Sequence, residues 1–168
     1  MIIYIVVALV GLGMVLFGAA GIAGSMTPRE HVASASIELN ASIEKVWADL
    51  DNVSAFPQWL PDISSVEMLP DQNGHRVFRQ RQGRNSFVLE ETQKQAPTLV
   101  TRTITDDNQF FSGSWEHRLE SLGANRTLLT LTEHGDIPSP IPRAIMKYAV
   151  GYDFYLKKFC QALKSRFG

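Results

Sequence analysis

From Met1 to Gly24 the chain carries no Lys, Arg, Asp, Glu, His, Asn or Gln, and its pattern changes character at Ser25. A helix over this run would be ~34 Å long at 1.5 Å per residue, matching a ~30 Å hydrocarbon core with modest tilt. The pattern predicts a transmembrane anchor over residues 1–24, followed by a short linker at 25–30 that contains Pro28. A cleaved secretory signal is the competing reading. Such a signal wants a cationic start and an apolar stretch of roughly 7–15 residues. Here the start is Met-Ile-Ile-Tyr and the run is longer, although the small residues from Ala19 to Ser25 suit a cleavage site. Arg29 and Lys45 follow the span and no cation precedes it, which leans towards a cytoplasmic domain and leaves the side open.

After the linker, His31–Leu39 alternates as a strand does. Ser42 stands where a helix N-cap belongs, and Val46, Trp47 and Leu50 form an apolar stripe ending near Asp51–Val53. Pro57 and Pro61 then confine Ser54–Pro61 to a compact turn or short helix. Six strands are expected at about 62–69, 75–82, 86–95, 98–105, 110–121 and 126–135, separated by Gly-, Asn-, Asp- and Pro-rich breaks. The clearest alternation sets Phe111, Gly113, Trp115, His117 and Leu119 against Ser112, Ser114, Glu116, Arg118 and Glu120. One apolar and one wet face predict an antiparallel sheet. Beyond Pro138–Pro142 a long helix is expected at 141–167. Ile145, Tyr148, Tyr152, Tyr155, Leu156, Phe159 and Leu163 share its inner stripe. Each buried tyrosine hydroxyl needs a partner, so this face either lines a cavity or keeps its hydroxyls at the edge of a core.

Charge and motifs narrow the chemistry. The 16 basic and 17 acidic residues give no global field for nucleic acid. Cys160 is the single cysteine and reads as a buried small hydrophobe. No HExxH, CxxC, GxSxG or Walker pattern occurs, and His31, His75, His117 and His134 are too dispersed for a local metal motif. Neither a cofactor nor a metal is expected.

Three segments, Ala41-Ser-Ile-Glu-Lys-Val-Trp47, Phe56-Pro-Gln-Trp-Leu-Pro61 and Leu129-Thr-Leu-Thr-Glu-His-Gly-Asp-Ile-Pro138, carry a resemblance over residues 31–168. Together with the element order they resemble the START-like polyketide cyclase/dehydrase and lipid-transport superfamily (SRPBCC). That likeness implies an α+β helix-grip fold: a curved antiparallel sheet of about seven strands around a long C-terminal helix, with the N-terminal transmembrane helix added outside it. It also implies a deep hydrophobic pocket between sheet and helix. Family members bind lipids, quinones, hormones and polyketides, and only some are enzymes, so the fold alone names no ligand.

Strand parity supplies the expected lining. Phe111, Trp115 and His117 face inward together, as do Leu129, Leu131 and Glu133. Val100 and Ile104 bring Arg102 inward, while Phe87 and Leu89 bring Glu91. A buried Arg102 must meet a carboxylate or a bound anion. With Trp59 from the Phe56–Pro61 turn and Tyr148, Tyr152 and Tyr155 from the helix, these residues are the expected ligand-binding set. His117 and Glu133 are the candidate acid/base pair for an enzyme alternative. The expected function is membrane-tethered binding or transport of a small hydrophobic ligand such as a lipid, quinone or isoprenoid. A cyclase/dehydrase is one alternative and a protein-interaction adaptor another. The adaptor would use the basic C-terminal helix (Arg143, Lys147, Lys157, Lys158, Lys164, Arg166) and its outward Val150 and Phe154, a face equally suited to membrane lipid. Opening is expected at Phe56–Pro61 and at a Pro138–Pro142 hinge.

Overall fold

The alternating middle of the chain folds into one seven-stranded antiparallel sheet, in the order β1-β7-β6-β5-β4-β3-β2. The structure is a computed structural model that describes residues 2–106 and 111–168. Its strands are β1 (Glu30–Leu39), β2 (Ile63–Gln72), β3 (His75–Gln82), β4 (Asn85–Gln95), β5 (Leu99–Ile104), β6 (Ser112–Gly123) and β7 (Arg126–Asp136). They match the expected strands to within a few residues at each end. The expected start at Phe110 and most of the preceding turn lie outside the described residues. The two edge strands, β1 and β2, are joined by α2 (Ile43–Asp51), a 3-10 turn (Val53–Ala55) and α3 (Phe56–Trp59). Ser42 does precede α2, with an extended backbone, but its side chain makes no capping bond.

Two apolar clusters fill the concave side. One joins Leu39, Val46, Leu50, Leu119, Leu129 and Leu163 at the α2 end of the sheet. The other gathers Phe56, Leu60, Ile63, Phe78, Leu89 and Ile104 beneath α3. Phe159 packs against both, from the helix that closes the fold.

That helix is not continuous, which corrects the expectation of one helix over 141–167. The segment comprises α4 (Pro140–Ile145), a π-helical turn (Met146–Val150), a break, and α5 (Phe154–Phe167). Pro140 and Pro142 are tolerated because the first turn of a helix has no inward use for their missing N–H groups. Gly151, at φ 92°, ends the π turn in a region that disfavours other residues. The expected tyrosine stripe is split accordingly. Leu156 and Leu163 are buried, whereas Tyr148 is 64 % and Tyr155 48 % exposed.

The apolar N-terminal run forms α1 (Ile2–Ser25), a helix long and apolar enough to cross a membrane, with none of its most apolar stretch buried by the rest of the protein. Residues 26–29 are no slack linker. Thr27 is buried, and Arg29 makes a two-point ion pair with Asp136 at 3.1 and 2.7 Å.

Candidate functional site

Antiparallel pairing keeps opposed residues on one face. The pairs Ala33–Glu133, Glu133–Trp115, Trp115–Arg102 and Arg102–Glu91 therefore lay one row across the concave side. Glu91, Arg102, His117 and Glu133 are all buried, as strand parity requires. Their partners divide the row into a closed half and an open half.

At the closed half, Arg102 donates to Glu91 Oε1 through Nε and Nη2 at 3.2 and 3.1 Å, and to the Leu50 carbonyl at 2.6 Å. Arg76 reaches the same Oε1 at 2.6 Å and Asp51 at 2.9 Å, and Lys94 also pairs with Asp51. Burial draws the Arg102 guanidinium below its usual pKa, opposed by Glu91. For Asp51, burial works to raise the carboxyl, yet Lys94 and Arg76 hold it below the ordinary range. Of the two partners open to Arg102, carboxylate or anion, the carboxylate fills the role.

His117 lies between β6 and α5, edge-on to Phe159 at 5.3 Å, with Nδ1 buried and unpartnered. Burial, and then the Arg102 charge, hold its pKa well below the usual imidazole value, so the ring is neutral. It does not engage Glu133.

Glu133 belongs to the open half. Its Oε2 accepts from Trp115 Nε1 at 2.6 Å and its Oε1 meets His31 Nε2 at 2.9 Å. In that contact the ring nitrogen donates and the carboxylate oxygen accepts, which leaves Nδ1 as the ring's second polar atom. Among the described residues that buried Nδ1 has no partner, and the His31 side chain is only 5 % exposed. Tyr152 stacks on the ring at 3.9 Å, and Phe111 stands 6.3 Å from His31 and 5.7 Å from Trp115. His31 pairs across the sheet with Gly135, where a Cβ would collide with both the imidazole and Phe111. The missing side chain is what admits the two rings. Phe111, Trp115 and Tyr152 are each only half-buried, at the end of the sheet nearest α1.

The structure thus brings together Phe111, Trp115 and Tyr152 of the expected ligand-binding set. Arg102 and His117 sit deeper, and Phe87 lies half-buried beside the α3 cluster. Trp59 borders an open groove of about 550 Å³ between α3 and α5, shared with Pro61, Lys158, Ala162 and Arg166. Tyr148 and Tyr155 point away from the interior. Between sheet and α5 the space holds the protein's own rings, with Trp59 5.7 Å from Phe159 and 5.4 Å from Phe56. His31 escaped the sequence reading although its signal was present: it shares parity with Ala33, Ala35 and Ile37, all on the inner side of β1. Arg143, expected on a solvated basic face, is buried instead.

The sequence profile of the family described as polyketide cyclase / dehydrase and lipid transport matches residues 30–168. The chain belongs to that family. Solved structures share the family's fold at low identity. A START superfamily protein from Mycobacterium smegmatis is 21% identical with a TM-score of 0.66, covering 82% of this chain and 97% of its own. The Zhui aromatase/cyclase from Streptomyces sp. R1128 is 18% identical with a TM-score of 0.68, covering 82% and 93%. Norcoclaurine synthase from Thalictrum flavum, in complex with dopamine and hydroxybenzaldehyde, is 11% identical with a TM-score of 0.62, covering 86% and 90%. No curated protein matches by sequence. The family's shared part starts where β1 does and leaves α1 outside.

Proposed function

We propose that this protein is a membrane-tethered module that binds a small, mainly apolar molecule with one hydrogen-bonding end. The observation that carries this reading is the α1-proximal mouth, where half-buried Phe111, Trp115 and Tyr152 surround a buried imidazole whose Nδ1 has no partner among the described residues. The family's description, which includes lipid transport, supports the same class of ligand, as does the aromatase/cyclase title of one structural relative. The apolar helix α1, retained as a single bilayer span, keeps the mouth beside a source of such molecules.

Binding works by partition. A ligand that gives up roughly 300 Å² of apolar surface gains roughly 7 kcal/mol before ordering costs. Its hydroxyl hydrogen-bonds with His31 Nδ1, a polar atom otherwise left unsatisfied at a cost of about 1–3 kcal/mol. Because the interior is occupied by aromatic rings, uptake proceeds by displacement of Tyr152 at the mouth. Tyr152 lies in the break after Gly151, outside the regular elements. The Pro138–Pro142 segment does not supply the movement, because Arg143 holds the carbonyls of Ile137 and Pro138 at its start.

The His31–Glu133 pair also favours an enzyme reading. A carboxylate-oriented imidazole with an open nitrogen is the arrangement of a general base, and it replaces the expected His117–Glu133 pair. Native mass spectrometry of the full chain, extracted from membranes in mild detergent, tests the binding reading. An apolar adduct should accompany the protein and disappear in Trp115→Ser; a domain empty in every preparation overturns it. Turnover of the extracted compound, lost in Glu133→Gln with binding intact, would establish the enzyme.

A further inference from the structure

The junction between α1 and the sheet domain is built as a clamp. Arg143 donates from Nε to the Ile137 carbonyl at 2.9 Å and from Nη2 to Pro138 at 2.7 Å. Its Nη1 reaches the carbonyls of Gly24 at 3.1 Å and Thr27 at 2.7 Å. The last carbonyls of a helix lack internal partners and carry its negative end, so a buried guanidinium suits them well. Contact between α1 and α4 is close enough that a Cβ at Gly24 would overlap the Pro140 carbonyl. Half-buried Ala20 and Ala23 continue the contact one turn back, about 6 Å into the apolar run, while Gly21 faces open space.

Around this junction the surface is apolar where an aqueous domain would present charge. Met26 is 82 % exposed, and Ile145, Tyr148, Val150, Phe154 and Tyr155 are exposed beside it. The Tyr148 hydroxyl lies 3.5 Å from Thr27 Oγ1, against the end of α1. Lys147 stands over the Tyr148 ring at 5.2 Å and Lys158 over Phe154 at 5.7 Å. Lys158 is paired with Asp62 at 2.5 Å; tyrosines among aliphatic residues, with a lysine such as Lys147 able to extend its head away, are what a membrane–water boundary selects.

We propose that Ile145–Tyr155 is a ledge resting in the headgroup-to-acyl boundary of the bilayer that α1 spans, held at that depth by the Arg143 clamp. This rests on the reading of α1 as a retained span, and it adds a fixed pose. From the same ledge Tyr152 turns inward onto His31, so the mouth opens towards the bilayer rather than water. An apolar ligand then enters without crossing the aqueous phase.

Depth measurements on the full chain test this. Cys160 is buried, with its thiol pushed up to about 11, and is replaced in a Cys160→Ala background. Single nitroxides are attached to Ile145→Cys or Val150→Cys, with Leu12→Cys as the deep reference and Ser121→Cys as the aqueous one. The protein is held in phosphatidylcholine–phosphatidylglycerol vesicles. Labels at 145 and 150 should collide with oxygen and be shielded from a water-soluble nickel chelate, at depths between the references. Adding Gly24→Ala, which wedges α1 off α4, should move position 150 to the aqueous value while the domain's circular dichroism is retained. Full chelate access at 150 with position 12 deep overturns the ledge and leaves the span intact. Chelate access at position 12 overturns the span and the ledge with it. An unshifted depth in folded Gly24→Ala protein overturns the clamp's part in the proposal.

Discussion

Replacing Glu91 by Leu removes the carboxylate that both Arg102 and Arg76 share. Arg76 keeps Asp51 at 2.9 Å, but Arg102 is left with the Leu50 carbonyl alone. Its side chain is 4 % exposed and that of Glu91 only 2 %, so water cannot stand in for the lost partner. Arg102 loses two charge-assisted bonds and Arg76 one, each of a kind worth about 1.5–3 kcal/mol, and breaking one side of a buried pair costs about 3–5 kcal/mol in all. For a domain of this size that lowers the thermal midpoint by about 10–20 °C. Arg102→Met should cost a similar amount, by leaving buried Glu91 with only Arg76 and, at 3.6 Å, the more exposed Lys94. The double variant Glu91→Leu/Arg102→Met strands neither charge of the pair, so it should recover most of the loss. Urea or thermal unfolding of the full chain in detergent reads all four proteins of this cycle. If Arg102 served a ligand rather than the fold, the stability losses would be small and additive, and the double variant would lose its bound adduct. Losses under about 1 kcal/mol for Glu91→Leu would refute the reasoning.

Two further outcomes follow from the interior. His117 is buried and neutral, with a pKa held well below the ordinary value near 6.5. Below that pH the unfolded chain takes up a proton that the folded chain refuses, so stability falls as pH drops, by up to about 1.4 kcal/mol per pH unit. His117→Leu should flatten the pH dependence of unfolding between pH 6.5 and 5; an unchanged slope would show that another group sets it. Gly135→Ala places a methyl group against His31 and Phe111. It should cost about 1–3 kcal/mol through overpacking and abolish adduct binding, whereas the same change at Gly123, which has open space around it but φ 144°, should cost stability through backbone strain and leave binding intact.

The sheet was legible because period-two alternation and turn chemistry agree along residues 62–136. Parity also placed Glu91, Arg102, His117 and Glu133 inward, since the β4 irregularity falls after Glu91 and leaves its facing unchanged. The C-terminal helix was misread for a physical reason. Tyrosines at helical spacing suggest one continuous stripe, yet Gly151 lets the chain turn within it, and a single glycine carries little weight against seven spaced apolar residues. Arg143 was hidden because its partners are main-chain carbonyls, which no side-chain pattern announces. The pairing of His31 with Glu133 across β1 and β7 depends on register and on the space above Gly135. Both are tertiary facts. The partner choice of Glu133, Trp115 and His31 instead of His117, follows from them.

The binding mouth can be observed through its own indole. In Trp47→Phe/Trp59→Phe protein held in amphipol, Trp115 is the only tryptophan, and a brominated long-chain alcohol serves as a quenching ligand. Saturable quenching of Trp115 at one equivalent, lost when Gly135→Ala is added, is the predicted result. Quenching confined to the complementary protein that retains only Trp59 would place the ligand in the α3–α5 groove and contradict this account.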